Sequence, residues 1–276
     1  MGKEELPTVT ELRSRIDKMD TQIRHGKIYQ NAFRYLYLTA GNISEVTGKY
    51  APRGSDAITT DILEEEAIIF PIKTARRKGR IRPVALPLDS KYEPWSKILL
   101  NWFSVHENAH PFGGLSMRAV QRISSQIFQG LMWPVEEYEK VIREKVDDSK
   151  IIRTRQKIDG TTEYLVEYDD YTRRWVENPT VMVKTETQTQ HWRPFSLNSL
   201  RHQRIRELKY FYGFTDEQMR IYTGLTSQSS DSRVYSVLDR YDWVNPSDDA
   251  PSIEALRFAA SSYFKNLLKK TTIKYV

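Results

Sequence analysis

Cysteine is absent from the 276-residue chain, and no apolar run approaches the roughly 20 residues that span a bilayer. The first absence excludes disulfide scaffolds, thiolate catalysis, zinc fingers and iron-sulfur clusters. The second argues against a transmembrane helix, so we expect no membrane partner. The first 20 residues mix acids and bases without an apolar core, which predicts no secretory signal and an intracellular location, cytoplasmic or nucleoid-associated.

The sequence also lacks the usual nucleotide-binding motifs, and its predicted helices carry no metal-binding pattern. It has no glycine-rich phosphate loop, which leaves nucleotide hydrolysis without support. His106, His110 and His191 are scattered, and none belongs to a His-x-x-x-His pattern on a predicted helix. We therefore predict that the protein uses neither a metal ion nor a cofactor.

What the sequence does contain is a core-forming composition and an uneven distribution of charge. Hydrophobic residues make up 39% and aromatic residues 12%, which predicts a folded, soluble protein. The 42 basic and 36 acidic residues give a net charge of +6. Residues 73–82 contain six bases and no acid, and this cluster favours an anionic partner over a merely solvated surface: Lys73, Arg76, Arg77, Lys78, Arg80 and Arg82.

Hydrophobic periodicity predicts a largely helical chain. Leu12, Ile16, Met19 and Ile23 recur at helical spacing, and Thr8 followed by Glu11 resembles a capping box at the start of this helix. Further helices are predicted at 29–40, 94–105, 116–131, 196–212, 215–222, 230–241 and 253–270.

Two groups of β-strands interrupt the helices. Residues 67–72 and 81–88 are β-prone and flank the basic segment, which predicts a hairpin with a basic tip. Residues 150–158 and 161–168 flank Asp159-Gly160, a strong hairpin signal, and strands are also expected at 171–176 and 180–183. We interpret 136–190 as a β-rich insertion between the two parts, 1–135 and 191–245, of one mainly helical α+β domain. Residues 246–276 would form a linker and a C-terminal helix.

Short motifs follow one another in a recognisable order. They are Thr39-Ala40-Gly41-Asn42-Ile43-Ser44-Glu45, then the basic hairpin, Leu200-Arg201-His202, Gly224 and Tyr235. This order resembles the catalytic domain of tyrosine recombinases of the phage-integrase type, over residues 8–245. The resemblance implies a mainly helical recombinase-like domain with a small antiparallel sheet.

The resemblance also implies a chemistry of DNA transesterification. In that family two arginines clamp the phosphate, a hairpin lysine protonates the leaving hydroxyl, and a tyrosine attacks to form a 3′-phosphotyrosyl link. Guanidinium groups suit this task because they bind phosphate oxygens in bidentate fashion. Carried onto this chain, the remaining catalytic positions are Lys73, Arg201 and Tyr235.

Three positions depart from the family pattern. Asn42 stands where the first arginine is expected, Asn198 replaces the histidine three residues before Arg201, and Thr226 or Leu225 replaces a later histidine or tryptophan. An asparagine donates a neutral hydrogen bond and cannot replace a bidentate charge. Arg53 in the following segment is the one candidate to substitute. We therefore expect a double-stranded DNA-binding protein whose strand cleavage is lost or impaired.

The expected DNA contacts are the six bases of 73–82 together with His202 and Arg204. An active strand-transferase that uses Tyr235 is one alternative. Another is a helix-turn-helix regulator, since 215–222, Gly224 and 227–241 fit that pattern with Gln228 available for adenine recognition. A third is a protein-interaction module built on the insertion.

The predicted C-terminal helix, 253–270, bears on the oligomeric state. The resemblance implies that it docks into a neighbouring protomer and so makes a homo-oligomer, although packing on its own chain is equally compatible with its amphipathic pattern. Because the catalytic-domain pattern starts near residue 8, we expect no counterpart of the family's separate N-terminal DNA-binding domain in this sequence.

Overall fold

A computed structural model describes residues 6–73, 81–136, 141–168, 171–185, 190–224 and 252–269. The chain divides into two compact units, Met1–Trp133 with Pro194–Val276, and Pro134–Arg193. The fold is mixed α and β, with small antiparallel sheets. None of the helices in the described ranges combines the length and the apolar character needed to cross a bilayer.

The α-helices in the described ranges belong to the first unit, and serine or threonine side chains cap several of their N-termini. Thr8, Ser116, Ser196, Thr215 and Ser252 each accept a hydrogen bond from a backbone N–H in the first turn, which satisfies a donor that the helix itself leaves open. The helices are α1 (Val9–Asp17), α2 (Gly26–Leu38), α3 (Pro94–Val105), α4 (Met117–Ile127), α5 (Leu197–Arg206), α6 (Asp216–Thr223) and α7 (Ile253–Leu267).

Most helix predictions are confirmed, with differences at the ends; the helices predicted at 116–131 and 253–270, for example, end at Ile127 and Leu267. Helix α1 stops at Asp17, so Ile23, predicted to belong to its apolar face, lies outside the helix and is exposed. The helix predicted at 196–212 continues past Arg206 only as a wider π-turn over Glu207–Phe211. The predicted helix at 230–241 lies outside the described residues.

A three-stranded antiparallel sheet lies at the centre of the first unit. Its order is β1 (Ile58–Ile62), β2 (Glu65–Lys73) and β3 (Ile81–Pro87). Strands β2 and β3 form the predicted hairpin, with Ile72 opposite Arg82 and Phe70 opposite Val84. Their side chains are buried along most of their length, because helices cover the sheet.

An aromatic cluster joins the helices to this sheet. Tyr35 of α2 contacts Phe70 of β2 edge to face, with ring centroids 5.2 Å apart. Phe103 of α3 packs 4.9 Å from Phe70, and Phe112 lies 5.2 Å from Tyr35. Such contacts add to the free energy gained from burial, since the ring edges and faces carry opposite partial charges.

Helix α7 packs on its own chain. It lies against β3, β1 and α6, and its buried residues include Leu256, Tyr263 and Phe264. The Tyr263 hydroxyl accepts a hydrogen bond from the Ala85 N–H at 2.8 Å and donates one to the Pro83 carbonyl at 2.9 Å. Of the two arrangements compatible with the sequence, the structure therefore contains packing in cis, and the apolar face of α7 is used within the chain.

The described residues of the second unit lie mainly in short strands, the first and last of which extend into the first unit. A three-stranded sheet has the order β6-β7-β8, and Asp159 and Gly160 lie in the turn of its first hairpin, as predicted. Strands β5 and β9 pair with each other, as do β4 and β10. The strands are β4 (Met132–Glu136), β5 (Val141–Lys145), β6 (Ile151–Gln156), β7 (Thr162–Glu167), β8 (Arg173–Val176), β9 (Thr180–Thr185) and β10 (Gln190–Pro194).

Candidate functional site

The C-terminus of α2 turns the chain toward the candidate site. Ala40 adopts a left-handed conformation (φ 46°), and the N–H of Gly41 bonds to the Leu36 carbonyl at 2.7 Å while that of Ala40 bonds to Tyr37 at 3.0 Å. This is a Schellman ending with alanine where glycine is usual. A Cβ on Gly41 would lie only 2.9 Å from the Thr39 hydroxyl, so the following segment passes very close to the helix end.

Asn42 is fixed directly after this turn. It caps a 3₁₀ turn at Ile43–Glu45, and its backbone N–H donates to Glu45 Oε2 at 3.1 Å. The Asn42 side chain is half-buried at the rim of a cavity of about 350 Å³.

Asn198 and Arg201 reach the same cavity from α5. Ser196 caps this helix, with its hydroxyl 3.3 Å from the Ser199 N–H, and so places Asn198 in the first turn and Arg201 one turn later. The cavity thus brings together three positions of the recombinase-like pattern that lie far apart in sequence: Asn42, Asn198 and Arg201.

Helix α4 supplies the opposite wall. Gln121, Ser124 and Ser125 line the cavity, and the Ser124 hydroxyl is buried without a hydrogen-bond partner among the residues that the structure describes. A buried hydroxyl that lacks a partner costs free energy, which a ligand with hydrogen-bonding atoms would recover. Sequence reasoning missed these residues, since Ser124 reads only as a small residue on an amphipathic helix.

Two buried arginines join the C-termini of α2 and α6 close to the cavity. Arg201 donates to the carbonyls of Ala40 and Thr223. Arg82 donates to the carbonyls of Thr39 and Tyr222. Helix C-termini carry carbonyls without intrahelical partners and a partial negative charge, so each guanidinium satisfies both ends at once.

The DNA contacts predicted for Arg82 and Arg204 are wrong. Arg82 is 3% exposed, and its guanidinium pairs with Glu45 at 2.8 Å. Arg204 is 1% exposed, pairs with Glu207, and lies between the rings of Tyr37 and Tyr212. Both side chains neutralise buried carboxylates, so neither can reach a DNA phosphate.

His202 lies at the exposed edge of α5 beside the cavity. Asn198 Nδ2 is 3.0 Å from His202 Nε2, and the imidazole stacks at 6.4 Å on Trp133, which Arg206 also approaches. Desolvation and the charge of Arg201 lower the pKa of His202, so the ring is neutral near pH 7. A neutral ring can accept the Asn198 hydrogen bond, which orients the amide at the cavity rim.

Lys73 lines a different cavity. This second cavity, of about 520 Å³, is bounded by the loop at 48–56, the end of β2 and His110. Arg53 lies here with Lys73 and does not line the Asn42 cavity, so in this structure it does not substitute for the missing arginine.

The sequence also contains His106-Glu107-x-x-His110, a spacing that on a helix would place two histidines on one face. Helix α3 ends at Val105, so the segment is a turn, and the Nδ1 atoms of His106 and His110 bond to the carbonyls of Trp102 and Pro52. Within the described ranges no three His, Asp or Glu side chains come together as metal ligands.

The remaining predicted site positions lie outside the described residues: Arg76, Arg77, Lys78, Arg80, Leu225, Thr226 and Tyr235.

No family model, no curated protein and no solved structure matches this chain.

Proposed function

We propose that this protein binds double-stranded DNA as an integrase-like, tyrosine-recombinase-like protein whose strand cleavage is lost or impaired. The observation that carries the proposal is the meeting of Asn42, Asn198 and Arg201 at one cavity. The family resemblance predicts that these positions surround a DNA phosphate. The protein would then act where DNA lies, in the cytoplasm or the nucleoid.

The groups around the Asn42 cavity suit a phosphodiester. The first turn of α5 opens on it, and a helix N-terminus favours an anion. Asn42 and Asn198 carry amide donors, and the unpartnered Ser124 hydroxyl is a further donor. Contacts of this kind position a DNA backbone without reading its sequence.

The same groups support weak or absent cleavage. A pentacovalent phosphorus transition state needs fixed cationic donors, and removing one donor from such a site commonly costs about 2.7–4 kcal/mol. Asn42 and Asn198 are neutral, and Arg201 already donates to two backbone carbonyls. The donors that remain can hold a phosphate by hydrogen bonds, but they stabilise the transition state of strand cleavage only weakly.

Asn42→Asp is expected to weaken binding to a mixed-sequence duplex by roughly 10- to 150-fold, because a hydrogen bond to a charged group contributes about 1.5–3 kcal/mol and aspartate would also repel the phosphate. Aspartate is a good N-cap, so the turn at Ile43–Glu45 should be kept. Fluorescence anisotropy at 50 mM salt measures the affinity. Asn101→Asp, at an exposed position of α3, adds the same charge away from the cavity and is the matched control. Equal affinities of the two variants would contradict a phosphate at Asn42.

Cleavage is tested separately with a nicked suicide duplex and detection of an SDS-resistant adduct. We expect no adduct, or an adduct orders of magnitude slower than binding. An adduct that Tyr235→Phe abolishes would instead establish the active strand-transferase. A helix-turn-helix regulator would tolerate Asn42→Asp and lose affinity on Gln228→Ala.

A further inference from the structure

The second cavity, which we call the Lys73 cavity, is bordered by the end of β2 and by two loops that hold each other in place. The N–H groups of Gly54 and Ser55 donate to the carbonyls of Ala109 and Glu107 at 2.9 and 3.1 Å. His110 Nδ1 lies 3.1 Å from the Pro52 carbonyl. A Cβ on Gly54 would come within 2.1 Å of the His106 carbonyl oxygen, so only glycine allows this approach. The walls of the cavity are therefore fixed by backbone contacts.

Three cations line the Lys73 cavity against one carboxylate. Lys49, Arg53 and Lys73 are all exposed, and in the part of the chain that the structure describes none of them is ion-paired. Asp56, the one acid, accepts the Arg53 backbone N–H at 2.7 Å. Like charges that outnumber their counter-charges repel one another, and a bound anion reduces this cost.

The remaining lining adds neutral hydrogen-bonding groups. Tyr50, Ser55 and His110 also line the cavity, and because Nδ1 of His110 is used at the Pro52 carbonyl, Nε2 is the ring nitrogen that remains for a ligand. An oxyanion with several acceptor oxygens matches cations combined with such groups, and a phosphate group is the common biological example. The volume of about 520 Å³ holds a phosphate together with the group that carries it.

We infer that the Lys73 cavity binds a phosphate group through Lys49, Arg53 and Lys73, at a position separate from the Asn42 cavity. The phosphate is either a backbone phosphate of DNA or a free phosphate ester. The first source rests on the proposed function, whereas the second does not. The position of Lys73 at the end of β2, where the sequence enters its basic run, favours the DNA backbone.

The first test uses inorganic phosphate and the imidazole NMR signals of the full chain, which contains five histidines. We expect the His110 signal to shift and saturate with added phosphate, while that of His25 stays unchanged. Arg53→Gln should weaken this binding at least tenfold, and Arg257→Gln, at an exposed position of α7, should leave it unchanged. No saturable His110 shift, or equal binding by both variants, would overturn the phosphate site.

The second test replaces phosphate by duplex DNA. If the source is DNA, the duplex shifts His110 and competes with phosphate, and Arg53→Gln makes the salt dependence of log affinity shallower by about 0.9. If phosphate binds but no duplex does, the site takes a free phosphate ester and the proposed function fails. A third result would be a duplex affinity with a steep salt dependence that Arg53→Gln leaves unchanged, together with no effect of phosphate on the His110 NMR signal. In that case the phosphate site at the Lys73 cavity is wrong, and the proposed function stands.

Discussion

Arg82→Met is expected to lower the free energy of unfolding by about 3–5 kcal/mol, the range for removing one partner of a buried ion pair. The substitution leaves the Glu45 carboxylate, 1% exposed, without its counter-ion. It also removes donors from the carbonyls of Thr39 and Tyr222 at the ends of α2 and α6. Urea denaturation followed by circular dichroism measures the loss.

Two further variants separate the lost pair from a general effect of removing arginine. Arg257→Met, at an exposed position of α7, should change stability by no more than about 0.5 kcal/mol. Adding Glu45→Gln to Arg82→Met should recover part of the loss, because it removes the uncompensated buried charge. A loss below about 1 kcal/mol for Arg82→Met would mean that the pair is solvated in the folded protein.

The position of Arg82 in β3 also explains why it was wrongly predicted to be an exposed DNA contact. In the run 73–82 it looks like the last of six exposed bases, yet it lies in β3 opposite Ile72 and on the same face as Val84 and Leu86. Every residue of β3 from Arg82 to Pro87 is buried, on both faces of the sheet, so the side chain of Arg82 lies inside the core. A charge run spans a strand boundary here, and composition alone does not reveal where the strand begins.

Local signals predicted other parts of the fold well. Residues 94–105 were predicted as a helix and form α3 with the same bounds, because Pro94 occupies its first turn and the apolar residues repeat at helical spacing. Strand β1 was missed because it pairs with β2 through a turn at Leu63 and Glu64, both with positive φ. Such turns are normally signalled by Asn or Gly, and neither is present.

Of the residues at the candidate site, only those that belong to the ordered sequence motifs could be predicted. The recombinase-like pattern singled out Asn42, Asn198 and Arg201, which the fold does bring to one cavity. The role of Arg201 at the carbonyls of Ala40 and Thr223 was not predictable, since it depends on two helix ends that meet only in the folded chain. The same holds for Lys73 and Arg53, which share a cavity because the loop at 48–56 and the end of β2 border the same space in the folded chain.

Phe264→Ala in α7 is expected to lower the free energy of unfolding by about 3–5 kcal/mol, as for other fully buried phenylalanines. Phe264 is fully buried where α7 covers the central sheet. Phe258→Ala, on the exposed side of the same helix, is the matched control and should have a much smaller effect. Thermal or urea unfolding of the full chain measures both. Similar small losses for the two variants would show that α7 is dispensable for the core.

The contacts of α7 also allow a test of whether this helix packs on its own chain or on a second protomer. Tyr263→Phe removes the hydroxyl that serves the Ala85 N–H and the Pro83 carbonyl, so we expect a loss of about 1–3 kcal/mol from buried backbone groups left without partners. Because these contacts lie within one chain, the unfolding midpoints of wild type and variant should not depend on protein concentration. A midpoint that rises with concentration in the wild type would show that a second protomer stabilises the fold, as exchange of α7 requires, since only an intermolecular contact is strengthened by mass action.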